Sequence, residues 1–290
     1  MRVTDAMIQD QIIKSLANSQ ERLFNVQKQI SSTKEVATSS DDPTRFDRAS
    51  RFKTLAGKNA LYLKNIEDGL GWNQTGTQAL DVIYEAFQQI KEEALRARSD
   101  TNTLNRPRSA LTVEALLEEM LLMGNVKFMG KFMFGGTLTK DTPPFTFDGT
   151  TVTYNGNEAT ISRKVGEATF LPINTVGSEF TDVFDAAISL RDAVSANDGP
   201  AIDVAIAQID AAADDLLNAL ARGGSQQRKL ELTRSNLEAA RVNLQSFISQ
   251  AEDVDLTDAI LRFNAQELGL RAALESSTRI MNISILNFIQ

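Results

Sequence analysis

Apolar side chains recur at alternating spacings of four and three near the start of the chain. The stripe runs from Ile12 to Ile30 and has Ser19 as its one polar position. This is the a/d spacing of a coiled coil, in which a narrow apolar face is buried against a partner helix. The pattern therefore predicts a long amphipathic helix with one adhesive face.

A second amphipathic helix is predicted from Leu256 to Phe288, with Ser277 as a polar gap in its stripe. A single narrow stripe buries little apolar area, and an isolated helix is marginal in water, so each terminal helix needs a partner. We therefore expect the two ends to pair with each other and with neighbouring copies. The predicted assembly interface comprises Ile12, Leu16, Leu23, Val26, Ile30, Ile260, Phe263, Leu270, Leu274, Met281 and Phe288.

Helix signals also fill the regions next to the ends. Asp42 can cap a new helix that has Pro43 at its first position, and its apolar pattern continues to Ala94. The glycines between Gly69 and Gly76 predict a bend or break in that helix. Another helix carries a four-three rhythm from Ile202 and is predicted to end at Gly223-Gly224, where a coiled-coil helix follows.

Short alternating segments with Asp-Gly and Asn-Gly turns mark a β-rich insert between Gly135 and Ser178. The predicted fold class is mainly α, a long antiparallel helical rod or bundle with coiled-coil termini and a small β-rich inserted domain. The predicted divisions are an N-terminal assembly helix (1–40), a first rod part (41–134), the insert (135–178), a second rod part (179–254) and a C-terminal assembly helix (255–290).

The composition removes most active-site chemistry. The 290 residues include no Cys and no His, so the usual zinc ligands, thiol nucleophile and neutral-pH proton shuttle are absent. A net charge of -8 with interspersed signs argues against nucleic-acid binding. The first residues do not form a signal peptide, and no stretch is apolar enough for a membrane span.

The remaining chemical motifs are weak. The glycines at 71 and 76 have phosphate-loop spacing but lack the lysine that such a loop needs. Asp253, Asp255 and Asp258 lack the glycine and closing glutamate of a calcium loop, so a cap or helix junction is favoured. The sequence thus predicts no catalytic, cofactor or metal site.

Four motifs occur in an order that resembles the flagellin-like family of the bacterial flagellum. They are Met1-Arg2-Val3 before the first stripe, Ser40-Asp41-Asp42-Pro43 after it, Phe134-Gly135-Gly136-Thr137 at the insert, and the acidic segment 251–259. Filament subunits tend to have Ala-Gly after the paired acids. With Pro43 at this position, the chain more closely resembles the hook-filament junction proteins of that family, the hook-associated protein 3 group.

That resemblance implies a non-enzymatic subunit without cofactors, exported unfolded through the flagellum's type III channel to the cell exterior. It implies assembly between hook-associated protein 1 and the first layer of flagellin. The implied partners are other copies of the chain in a homo-oligomeric ring, hook-associated protein 1, flagellin and an export chaperone. A short flagellin is the nearest alternative, and a coiled-coil enzyme or cytosolic adaptor is a more distant one.

Overall fold

The computed structural model describes residues 5–99 and 105–289, with the side chains of Met7 and, in the terminal helices, of Asp10 to Arg279. Most of these residues are helical. The helices are α1 (Asp5–Ser32), α2 (Pro43–Arg98), α3 (Arg106–Gly124), α4 (Asp182–Ser195), α5 (Gly199–Glu252) and α6 (Leu256–Ile289). None of the helices described within these ranges has the length and apolar content needed to cross a bilayer.

The strands form three separate antiparallel pairs. They are β1 (Lys127–Phe128) with β2 (Lys131–Phe132), β3 (Phe145–Phe147) with β4 (Val152–Tyr154), and β5 (Ser162–Lys164) with β6 (Phe170–Pro172). The pair β3–β4 lies where the sequence predicted strands, whereas the hairpin β1–β2 was not anticipated. Isolated two-stranded hairpins are marginal in water, so each pair depends on contacts with the rest of the fold.

The predicted fold class, mainly α with a small β-rich insert, is confirmed. The chain separates into two compact units, one formed by residues 1–58 and 240–290 and the other by residues 59–239. Helices α2 and α5 each contribute residues to both units. The five domain limits drawn from the sequence stay a prediction.

Aromatic side chains join the β-rich region to the helices in the larger unit. Phe145 of β3 lies 4.8 Å from Phe184 of α4 and 5.5 Å from Phe180, measured between ring centroids. Phe134 meets Phe180 edge to face at 5.1 Å. All four rings are almost completely buried, and such contacts add to the stabilisation from apolar burial alone.

Asparagine side chains supply the backbone partners that the short strands lack. The Asn125 amide accepts the N–H of Phe145 at 3.0 Å and donates to its carbonyl at 2.9 Å, as a neighbouring strand would. The buried Asn174 amide accepts from Ile161 N–H at 2.8 Å and donates to the Ala159 carbonyl at 3.3 Å. These two-point contacts satisfy backbone groups that would otherwise be unpaired.

The expected break near Gly69 to Gly76 and the expected helix end at Gly223-Gly224 are both wrong, while a bend in α2 stays a prediction. Helix α2 is helical throughout Pro43–Arg98, and α5 passes through Gly223-Gly224 without ending. A Cβ at Gly69 would lie 2.9 Å from the Ile173 side chain, and one at Gly223 would lie 2.9 Å from Thr77 Oγ1. These glycines permit close packing, which outweighs their poor helix propensity.

Candidate assembly interface

The terminal helices α1 and α6 pack against each other in antiparallel orientation. At the base of the pair, where α1 ends and α6 begins, Lys34 and Asp253 form an antiparallel backbone bridge. Further along, Arg22 Nε donates to Gln266 Oε1 at 3.4 Å. The expectation that the two ends pair with each other therefore describes an arrangement within one chain.

The predicted stripe residues are only partly covered by this pairing. Ile12, Leu16, Leu23, Val26, Ile30, Phe263 and Leu270 are half-buried. Ile260 and Leu274 keep 48% and 44% of their surface exposed. Met281 and Phe288 lie outside the residues whose side chains are described. The role of all eleven residues in contacts between copies stays a prediction.

A second apolar face was missed by the sequence reasoning. Ile13 and Phe24 on α1 are each 65% exposed, and Leu261 and Leu268 on α6 are 64% and 70% exposed. The signal was present, because Ile13, Ala17 and Phe24 are spaced by four and seven and the two leucines are seven apart. These four exposed residues, the outer face, are more accessible than any of the nine predicted interface residues whose side chains are described.

Capping side chains fix the start of each helix near the base of the α1–α6 pair. Asp42 Oδ1 accepts the N–H groups of Thr44 at 2.9 Å and Arg45 at 3.0 Å, with Pro43 at the first position of α2. Asp255 Oδ1 accepts from Thr257 N–H at 2.8 Å at the start of α6. Each carboxylate satisfies N–H groups that have no partner inside the helix.

The segment after α1 and the link before α6 are joined through their backbones. The Glu252 carbonyl accepts from Glu35 N–H at 2.7 Å and from Val36 N–H at 3.2 Å. In return, Val254 N–H donates to the Thr33 carbonyl at 3.1 Å. We call these segments, residues 33–36 and 252–254, the joint. Val36 and Val254 are both buried there, so the joint also has a small apolar core.

The Glu252 side chain is the buried charge of the joint. Its carboxylate is 3% exposed and pairs with Lys34 Nζ at 2.6 Å and with Lys53 Nζ. Burial alone would raise the pKa of Glu252, but the hydrogen bonds and charges of the two lysines outweigh it and lower the pKa. The same hydrogen bond raises the pKa of Lys34. The pair is therefore ionised at neutral pH and links α5 to both α2 and the segment after α1.

The acidic residues that the sequence singled out near 253–258 have structural partners. Asp255 caps α6, and Asp258 pairs with Arg262 at 2.8 Å on the same helix. Within residues 5–99 and 105–289, no group of three or more acidic side chains is arranged to hold a metal ion. What the smaller unit offers is a paired helical surface with exposed apolar residues.

Comparison with known families shows where the helices of this chain belong. The model for the bacterial flagellin N-terminal helical region matches residues 3–139, and the one for the C-terminal helical region matches residues 202–289. The chain belongs to the flagellin-like family. Helices α1, α2, α3 and α6 and most of α5 therefore lie in the flagellin-like regions, whereas α4 and most of the β-rich insert lie between the two matches.

Curated relatives in this family include both junction and filament proteins. Flagellar hook-associated protein 3 of Salmonella typhimurium is 22% identical, with 98% of each chain covered. The protein of the same name in Escherichia coli is 23% identical, again with 98% of each chain covered. A flagellin of Halalkalibacterium halodurans is 28% identical over 69% of this chain and 66% of its own length.

Solved structures show the same flagellin-like fold. A putative flagellar hook-associated protein from Vibrio parahaemolyticus superposes with a TM-score of 0.66 at 18% identity, over 73% of this chain and 100% of that one. Bacillus cereus FlgL gives a TM-score of 0.61 at 17% identity, over 68% and 98% of the two chains. At these identities the likeness establishes the fold and leaves the function to be argued separately.

Proposed function

We propose that the chain is a structural subunit of the bacterial flagellum that forms the junction between hook and filament. One observation supports this above the others. The relatives named hook-associated protein 3 align over 98% of this chain, whereas the flagellins align over 69% and 71% of it. Alignment over nearly the whole chain supports the junction proteins over the flagellins as its counterparts.

The proposed role is mechanical and involves no catalysis. In support, the sequence has no Cys or His. The outer face supports contact between copies, because exposed large apolar residues favour protein association. We infer that the eleven stripe residues and the outer face together form contacts with neighbouring subunits in the assembled junction.

The proposed partners follow from the position of the junction. They are further copies of this chain in a ring, hook-associated protein 1 on the hook side, flagellin on the filament side, and a chaperone during export. Secretion to the cell exterior through the flagellar channel requires an unfolded chain. The absence of cysteine supports this route, since disulfides would hinder threading.

Deletion of the gene provides the test. We expect cells that build hooks, lack attached filaments and release flagellin monomers into the medium, and we expect the intact gene to restore filaments. Electron microscopy of the cells and immunoblots of the medium measure both outcomes. Filaments that remain attached at normal number in the deletion strain would contradict the proposal.

A short flagellin is the second candidate, favoured by the 28% identity to a flagellin. A flagellin would polymerise on its own at high concentration, whereas a junction subunit is expected not to form a filament on its own. Sedimentation and electron microscopy of the concentrated purified chain separate the two. Long helical filaments made of this chain alone would favour the flagellin.

A further inference from the structure

The tip of the β1–β2 hairpin presents an apolar side chain in a strained conformation. Met129 has a φ of 49° and Gly130 a φ of 77°, so both turn residues are in the left-handed region. Asparagine and glycine suit such a turn, whereas an unbranched apolar residue there is uncommon. Met129 is also 81% exposed. The Met129 side chain therefore packs little against the described part of the chain.

The base of the hairpin is firmly held. Phe128 meets the Trp72 ring edge to face at 6.0 Å, and Phe132 is buried. Met133 N–H donates to the Val126 carbonyl at 3.2 Å and closes the hairpin below the strands. These contacts restrict the movement of the hairpin, which lowers the entropy lost when its tip binds.

Two lysines flank the exposed methionine. Lys127 lies over the Phe132 ring at 4.3 Å, and Lys131 follows Gly130 directly. Neither lysine forms an ion pair with another residue in the described ranges. The tip thus combines one apolar side chain with two positive charges, and its complement is an apolar hollow with a negative rim.

A groove of that kind runs between α4 and α5. It consists of two hollows of about 280 and 460 Å³ that share Ser189 and Gln208. Its walls are formed mainly by small apolar residues, and Val204 within it is 60% exposed. Every charged residue that lines the groove is an aspartate: Asp182, Asp185, Asp192, Asp198 and Asp215.

Four of these aspartates lack a positively charged partner in the described part of the chain. Asp192 pairs with Arg191 at 2.8 Å, and Asp198 accepts from a backbone N–H of α5. Asp182, Asp185 and Asp215, at one end of the groove, form no such pair. Burial, together with the charge of Asp182, raises the pKa of Asp185, which is what an uncompensated negative site produces.

We propose that the hairpin tip of one copy docks in the α4–α5 groove of a second copy, with Met129 in the groove and the lysines facing its aspartates. Tip and groove are different surfaces, so the contact is heterologous and repeats from copy to copy until a ring closes or a helix continues. This inference rests on the proposed junction function, because a ring of this chain is what the contact would build.

Cysteine cross-linking tests the contact directly, because the natural chain has no cysteine to compete. Full-length chains carrying Met129→Cys are mixed with chains carrying Val204→Cys, both in purified form and in hook-filament complexes from cells that express the two variants. Leu111→Cys on α3, 67% exposed, replaces Met129→Cys in the matched control. Oxidation and non-reducing electrophoresis measure the dimer of the two variants.

We expect about tenfold more dimer with Met129→Cys than with the Leu111→Cys control. Adding Lys131→Glu to the first chain is expected to reduce the dimer about tenfold, and adding Asp185→Lys to the second chain to restore it. All changed side chains are exposed, and circular dichroism verifies that the variants stay folded. Dimer at the control level in both preparations, or dimer that does not respond to the two charge reversals, would overturn the inference.

The two proposals can fail separately. A deletion strain that sheds its filaments while the cross-link stays at the control level contradicts the hairpin contact alone. A specific cross-link in the purified chain, together with a deletion strain that keeps its filaments, supports the contact and contradicts the junction function.

Discussion

Replacing Glu252 by Gln should loosen the joint at the base of the terminal helices while leaving the larger unit unchanged. The substitution keeps the size of the side chain and removes its charge. It therefore weakens the contacts with Lys34 and Lys53, and the backbone hydrogen bonds at Glu35 and Val36 remain the main link there.

The expected loss of stability depends on how deeply Glu252 and its two lysine partners are buried. Hydrogen bonds to charged groups contribute about 1.5–3 kcal/mol each, which gives about 3–6 kcal/mol as an upper bound for two. The Lys34 and Lys53 side chains are 38% and 48% exposed, so water can solvate them after the substitution. This lowers the expected loss to about 2 kcal/mol, or about 30-fold in the opening equilibrium of the joint.

Native-state hydrogen exchange measures this opening at single amides. The N–H groups of Glu35, Val36 and Val254 report the joint, and the buried core of the larger unit serves as the internal reference. Glu35→Gln is the matched control, because Glu35 pairs with Arg45 near the surface and its loss is expected to change exchange about threefold or less. Unchanged exchange at the joint, or equal acceleration throughout the chain, would refute the reasoning.

The same cluster makes the joint sensitive to pH. The pKa of Glu252 is lowered on folding, so its stabilisation is present above its ordinary pKa of 4.5 and is lost as the pH falls through the folded value. The pKa of Lys34 is raised on folding, so its stabilisation is present below 10.5 and is lost as the pH rises further. Protection of the joint amides, corrected for their intrinsic exchange rates, should fall in acid in the natural chain, and this acid dependence should be much weaker in Glu252→Gln.

Three further outcomes follow from packing and exposure. Gly177→Ala should lower the melting temperature, because its methyl group would lie 2.6 Å from the Tyr154 ring and 2.7 Å from the Phe145 ring. Gly224→Ala is the matched control: it has open space around it and should stabilise α5 by about 0.5–1 kcal/mol. Asn174→Ala should destabilise the larger unit by about 1–3 kcal/mol in a denaturant titration, because two backbone groups lose their partner. Leu268 is 70% exposed, so Leu268→Asp should leave the free energy of unfolding within about 0.5 kcal/mol of the natural chain yet reduce filament attachment on cells. A large loss of stability would show that Leu268 is needed for folding.

Local patterns in the sequence were sufficient where a single element decides the outcome. The start of α2 at Pro43 follows from one capping carboxylate and one proline, and both signals act within a few residues. The strands β3 and β4 follow from alternation and an Asp-Gly turn. Packing between segments distant in sequence could not be predicted from such local patterns. Gly69 favours a break when it is considered alone, but the Ile173 side chain lies where its Cβ would be, so tertiary contact decides.

The β-rich region shows the same division. Its alternating and aromatic residues predict strands. The strands are held in place, however, by asparagine amides that form hydrogen bonds with backbone groups distant in sequence. Asn125 contacts Phe145 and Asn174 contacts Ile161. An asparagine in a polar, glycine-rich segment looks like an ordinary turn residue, so its role becomes visible only when both segments are in place.

The terminal helices show why periodicity identifies a face but not its partner. The stripe from Ile12 to Ile30 has coiled-coil spacing, and that spacing is equally suited to a helix of the same chain and to one of a neighbour. In the structure much of this stripe is half-buried against α6. The outer face, with Phe24 and Leu268 among its residues, remains exposed. A helix pair that uses one face within the chain and keeps a second apolar face accessible can fold as a subunit and still associate, so self-pairing and assembly need not compete for the same residues.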